Sequence, residues 1–150
     1  MTDLDPLCQE LQQLWHQDFP LSKAMDMHVA GFSDHVITTQ TSLLPNTNTH
    51  GTAFAGSLYA IEALTAWGLL YLELAHAGLD GSIIHASGNI EFAKPVTEDI
   101  VATSSFVAHS DAMEELRQTG KLRLSLNTEV AVGGTVASRF EGLYVVRLNS

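Results

Sequence analysis

The sequence predicts an α+β fold in which a six-stranded antiparallel sheet wraps around one long central helix, with a further helix at the N-terminus. Three observations lead there. The stretch from about Ser57 to Ala77 is apolar on nearly every side, so other elements must cover it. Two segments rich in β-branched residues precede it and four strand-like segments follow it. Those last four are joined by short connections, which makes them antiparallel neighbours.

Each element has a local cause. Asp5-Pro6 reads as an N-cap followed by proline at the first helical position. Leu7, Leu11, Leu14 and Trp15 then recur at helical spacing, and Phe19-Pro20 ends the pattern. Met27 to Phe32 reads as a strand, Ser33-Asp34 as a turn, and His35 to Leu44 as a second strand. Pro45 to Gly51 is a loop by composition. The central helix spans ~30 Å at 1.5 Å per residue. Its one polar stripe carries Glu62, Thr65, Leu69, Glu73 and His76, which share a face at 100° per residue. Ser82 to Phe92, Asp99 to Ala108, Lys121 to Val132 and Thr135 to Arg147 supply the remaining strands. Alternation is clearest in the third, where Leu122, Leu124, Leu126, Thr128, Val130 and Val132 share one side. Gly133-Gly134 suits a two-residue hairpin turn, because both glycines can take positive φ. Ser110 or Asp111 caps a short helix that Gly120 ends.

Composition narrows the function. At 150 residues, the chain fits one domain with a real core. Seven basic residues against 17 acidic ones give a net charge of −10. That balance argues against nucleic acid and anionic membrane as partners, since both need a basic face. Cys8 is the single cysteine, so no intrachain disulfide is possible. The seven histidines show no metal-ligand spacing, so no metal and no cofactor is expected. Glu62, Glu73 and His76 interrupt the long apolar stretch and leave only ten residues, nearly all apolar, between the two carboxylates, too few for a span of ~20. The first residues lack a basic region followed by an apolar one, so a cytoplasmic location is expected.

A sheet curled around a buried helix is the hotdog architecture, and its chemistry concentrates where that helix begins. N–H groups in a helix's first turn have no intrahelical partner, and the dipole's positive end lies there. Such donors stabilise a carbonyl oxygen that gains charge during acyl transfer. Ala55-Gly56-Ser57 offers small residues that let a substrate reach this backbone, just after a loop dense in Asn, Thr and His. Gly56 and Ser57 equally suit a plain helix cap, and Ser57 lacks the frame of a nucleophilic serine.

The run Asn48-Thr49-His50-Gly51-Thr52-Ala53-Phe54-Ala55-Gly56 resembles the loop of phenylacetate-type hotdog acyl-CoA thioesterases, which reads Asn, two residues, Gly, two residues, His-Gly-Gly. Asn89 to Pro95 resembles the strand after their central helix. Gly51 to Ser57, with Ala66-Trp67-Gly68, is more closely similar to a family of thioesterase domains also found fused behind acetyltransferase domains. The resemblance covers roughly residues 24 to 147. It implies that Asn48 orients the water or the thioester, and that Gly51 and Gly56 shape the backbone site. Ala55 stands where the first glycine of the pair falls, and Phe54 replaces the preceding histidine. The acid expected seven positions after Gly56 is Ala63; the dehydratase position, five after it, is Ile61; Glu62 lies between. His85 occupies the place of an assisting polar serine.

The resemblance therefore implies a homodimeric or dimer-of-dimers thioesterase acting on an acyl-CoA or acyl-carrier-protein thioester. In this reading Ala55, Gly56 and Ser57 bind the carbonyl beside Gly51 and Phe54, and Asn48, His50, Glu62 and His85 are the candidate catalytic residues. Each has a plainer alternative. Glu62 is either a buried general base or a solvated member of the polar stripe. His50 is a base or an exposed loop residue, Asn48 a water-orienting group or the holder of an Asx turn, and His85 a site residue or an ordinary polar strand residue. The missing carboxylate at Ala63 also fits a non-catalytic acyl-ligand-binding module. Phe54 removes the histidine that a hydratase or dehydratase would need.

Overall fold

A computed structural model describes residues 4–107 and 109–150. Helix α1 (Pro6–Asp18) starts as its sequence dictates, with Asp5 Oδ1 accepting from the Leu7 N–H at 2.8 Å. Phe19-Pro20 ends α1, but it does not end helical structure. Pro20 occupies the first turn of a second, short helix, α2 (Pro20–Ala24), consistent with proline's fixed φ suiting that position. Strands β1 (Met27–Ser33) and β2 (Val36–Thr41) follow. Their turn lies at Asp34-His35, one residue later than expected, and both residues take positive φ. β2 ends at Thr41, short of the expected limit at Leu44, and a 3-10 turn at Leu44–Asn46 straddles the expected boundary between strand and loop.

The central helix α3 (Ala55–His76) is followed by β3 (Gly81–Phe92), β4 (Ile100–Ser105), α4 (His109–Thr119), β5 (Lys121–Val132) and β6 (Thr135–Leu148). Ser110 and Asp111 lie within the first turn of α4 rather than ahead of it. The expected strand limit at Ala108 falls outside the described residues. The six strands form one antiparallel sheet in the order β1-β2-β4-β5-β6-β3. Gly133 and Gly134 make the β5–β6 turn with φ of 58° and 80°.

Helix α3 lies across the concave face of this sheet. Leu58, Ile61, Ala66, Leu69, Leu70, Leu72 and Leu74 are buried in one core with Ile37, Ile100, Val130, Phe140 and Val146 from the strands. Although α3 is long and apolar enough to cross a membrane by composition, most of its apolar surface is taken up by this packing. α1 covers a further side, with Leu11 and Trp15 fully buried; a Cβ on Gly68 would stand 2.5 Å from the Trp15 ring.

The polar stripe of α3 faces inward. Glu62 and Thr65 are fully buried and Glu73 nearly so, so the solvated alternative for Glu62 does not hold. The sheet carries matching polar groups. The Ser138 hydroxyl donates to Glu62 Oε2 at 2.7 Å, the Thr39 and Thr65 hydroxyls pair at 2.8 Å, and His35 Nδ1 meets Glu73 Oε1 at 2.6 Å. Only His76, at the helix end, is exposed. Buried polar groups are tolerated when bonded, and these contacts fix which way α3 faces on the sheet.

Candidate active site at the start of the central helix

The loop before α3 is held by Asn48. Its carbonyl oxygen accepts from the N–H of His50 at 2.8 Å and of Thr52 at 3.2 Å, and its amide donates to Thr52 Oγ1 at 2.8 Å. The Asn48 N–H donates to the Thr52 carbonyl and the Gly51 N–H to that of Asn48. Gly51 takes a φ of 76° to close this turn, a conformation that costs glycine little. Both ends of the Asn48 amide are thus engaged within the loop, an Asx-type arrangement. His50 projects from the same turn as an exposed residue.

Two contacts then aim the chain into the helix. The Ala53 N–H bonds to the Val96 carbonyl at 2.9 Å and the Phe54 N–H to the Asn46 carbonyl at 2.7 Å. α3 begins at Ala55, two residues earlier than expected, so Ser57 lies inside the first turn and is not its cap. The N-cap residue is Phe54, whose side chain makes no capping bond. The first intrahelical bond is from the Leu58 N–H to the Phe54 carbonyl, at 3.0 Å. The N–H groups of Ala55, Gly56 and Ser57 precede it and have no acceptor within the helix. Phe54 instead lays its half-exposed ring over Gly56, where a Cβ would lie 2.5 Å from the ring.

This turn opens on a cleft of about 290 Å³ walled by Phe54, Gly56, Ser57 and Ala60 on one side and Leu21, Met25 and Pro45 on the other. Helix α2 forms the far wall, so the element absent from the sequence reading shapes the site. A run of five residues is too short to show helical periodicity, and that is why the pattern missed it.

Ala63 and Glu62 face different ways. At 100° per residue Gly56, Ala60, Ala63 and Trp67 form one stripe, spaced i, i+4, i+7 and i+11. Ala63 therefore faces the same flank as Gly56. Glu62 is turned by about 100° from Ala63, and its carboxylate is sealed beneath the helix. Burial, reinforced by the charge of Glu129, pushes the Glu62 carboxyl up to about 7, while the Ser138 hydrogen bond opposes the rise.

His85 does reach this flank. It lines an apolar trough of about 240 Å³ with Leu21, Met25, Ala60, Ala63 and Trp67. Its ring packs against Phe140 and Tyr144, and its Nε2 lies 3.1 Å from the Tyr59 hydroxyl. Tyr59 fits because residue 88 is glycine: a Cβ there would stand 2.5 Å from the Tyr59 oxygen. Sequence reasoning missed Tyr59, whose only signal was its place three residues after Gly56. The Tyr144 hydroxyl donates to the Ala63 carbonyl at 2.6 Å and ties the helix to β6 at this level. Among the described residues lining cleft and trough, His85 alone is titratable. The structure sets Phe54, Gly56 and Ser57 on the cleft and His85 on the adjoining trough, places Ala55 in the same first turn, and leaves Asn48, Gly51 and His50 on the supporting loop and Glu62 in the core.

Of the basic residues, Lys23 sits on α2 beside the cleft, and none lines cleft or trough. Lys121 pairs in register with Arg147, and Ser82 pairs with Arg147 on its other side. This row crosses the sheet beside the start of β3, near the C-terminal end of α3. Arg139 is paired with Glu129 at 3.1 Å.

Comparison with known proteins agrees with this fold. A protein from Shewanella oneidensis, solved as the "putative thioesterase", is 32% identical, with a TM-score of 0.88 over 93% of this chain and 96% of its own. A Pseudomonas aeruginosa protein of unknown function, described as a "probable thioesterase", shares the fold at 18% identity, with a TM-score of 0.81 over 94% of this chain and 95% of its own. The Escherichia coli PaaI protein from the phenylacetic acid degradation operon shares it at 12% identity, with a TM-score of 0.64 over 96% and 97%. Residues 8–148 match the family described as "Putative thioesterase (yiiD_Cterm)", and the chain belongs to that hotdog thioesterase family.

Proposed function

We propose that this protein hydrolyses acyl thioesters of coenzyme A or of acyl carrier protein. The observation that carries the reading is the uncapped first turn of α3, which opens on a cleft between α2 and α3. The thioester carbonyl sits against the N–H groups of Gly56 and Ser57, which stabilise its oxygen as water adds. The His85 imidazole takes the water proton, and the tetrahedral intermediate then expels the thiolate, which is protonated on release. Asn48 acts by holding the loop that presents Ala55 to Ser57. A cytoplasmic homodimer, or a dimer of dimers, completes the reading. Among the described residues β3 pairs only with β6, which leaves the other edge of a 12-residue strand for a partner. Ile84 and Phe92 on that strand are about half exposed.

The test is hydrolysis of a panel of acyl-CoA and acyl-carrier substrates by the wild type, His85→Gln, Asn48→Ala and the surface control Glu114→Ala. Expected are turnover by the wild type and control, a loss of about 10²- to 10⁴-fold in kcat for His85→Gln, and a marked loss for Asn48→Ala. Acyl-CoA binding without turnover would replace the enzyme by an acyl-binding module, the reading that Ala63 at the acid position favours.

A further inference from the structure

The cleft at Gly56 continues into the apolar trough, for the two share Leu21, Met25 and Ala60. The trough runs along the Gly56-Ala60-Ala63 stripe of α3 and ends at Trp67. That indole is fixed. Its N–H donates to the Ile83 carbonyl of β3 at 3.2 Å, Phe19 meets it edge-on at 5.2 Å, and Tyr71 stacks on it at 6.0 Å. Beyond Trp67 lies a further cavity of about 290 Å³, walled by Tyr71, Leu74, Leu79 and Ile83, with Trp67 shared between the two. Trp67 thus divides one continuous furrow into an inner part, reached from Gly56, and an outer part.

Resting on the thioesterase reading above, we propose that the inner trough holds the substrate's acyl chain and that Trp67 is the ruler that sets its length, with Ala63 setting its width. From Gly56 to Trp67 is 11 helical residues, about 16 Å of axis, the extent of an unbranched chain of about 13 carbons at about 1.27 Å per C–C bond. The occupant is apolar because the walls are, apart from Ser22 and His85. Ala63, where an acid is expected, adds a methyl group to this surface instead of a charge. Phe19 and Leu21, 36% and 63% exposed, form a rim whose apolar surface a bound chain would cover.

The test compares chain-length profiles from butanoyl- to hexadecanoyl-CoA for the wild type, Ala63→Leu and Trp67→Leu. The wild type should peak near dodecanoyl to tetradecanoyl. Trp67→Leu should open the outer cavity and raise kcat/KM for hexadecanoyl relative to dodecanoyl about tenfold or more, since each added methylene that becomes buried contributes several-fold. Ala63→Leu should narrow the trough and shift the optimum toward butanoyl. Should Trp67→Leu fail to fold, the Ala63→Leu shift alone decides. Profiles unchanged in folded variants overturn the ruler while leaving the hydrolase standing. If no thioester is turned over, displacement of a fluorescent fatty acid by free fatty acids of the same lengths reads the trough independently. The same length dependence supports the ruler, and absence of probe binding, as when a second copy of the chain fills the trough, overturns it.

Discussion

Replacing Glu62 with glutamine separates a structural carboxyl from a catalytic one. Glu62 is fully buried beneath α3, with Ser138 donating to Oε2 and, among the described residues, no partner at Oε1. Burial raises its carboxyl from 4.5 to about 7. The folded value lies above the unfolded one, so the carboxyl's stability contribution is full below pH 4.5 and declines as the pH rises to about 7. Above that, the folded state carries the full cost of a buried carboxylate, on the order of 3 kcal/mol for a shift of this size. Glutamine keeps the shape and never ionises. Urea unfolding across the range should give Glu62→Gln little change at about pH 4 and a gain approaching 3 kcal/mol at about pH 8, relative to the wild type. Turnover should stay within about threefold of the wild type, because the carboxyl does not reach the cleft. A stability difference that is flat with pH would refute the assignment, and a collapse of turnover in a folded variant would return Glu62 to the mechanism.

Two further expectations concern packing. Thr39→Val and Thr65→Val each strand one hydroxyl of a buried pair 2.8 Å apart, so each should cost about 1–2 kcal/mol in chemical denaturation, with the double variant well short of the sum. Gly68→Ala drives a Cβ into the fully buried Trp15 ring, whereas at Gly56 the obstructing Phe54 ring is half exposed. Thermal melts should therefore show Gly68→Ala losing about 1–3 kcal/mol and Gly56→Ala much less.

Much of this fold is legible because its signals are local. Asp5-Pro6 starts a helix by its own chemistry, Gly133-Gly134 makes its turn, and the alternation in Lys121 to Val132 depends only on neighbours. Periodicity also groups Glu62, Thr65 and Glu73 on one face. It cannot say whether that face looks in or out, because their partners Ser138, Thr39 and His35 lie far away in sequence. The site divides in the same way. The loop and first turn, Asn48 to Ser57, are contiguous and carry their own pattern. The trough is assembled from α2, α3 and β3, so no window of sequence contains it. Tyr59 beside His85 comes into view only once β3 is paired with β6.

In the proposed mechanism backbone amides at the start of α3, and not a side chain, bind the thioester oxygen. Ser57→Ala removes the hydroxyl and keeps the N–H; Ser57→Pro removes the N–H at a first-turn position where no intrahelical bond is lost, and Gly56 ahead of it has no Cβ to clash. Steady-state hydrolysis by the two variants, with unchanged circular dichroism, is the direct measurement. Ser57→Ala should remain near wild type and Ser57→Pro should lose about 10²- to 10³-fold in kcat. Full activity in Ser57→Pro would mean that these amides do not bind the thioester oxygen.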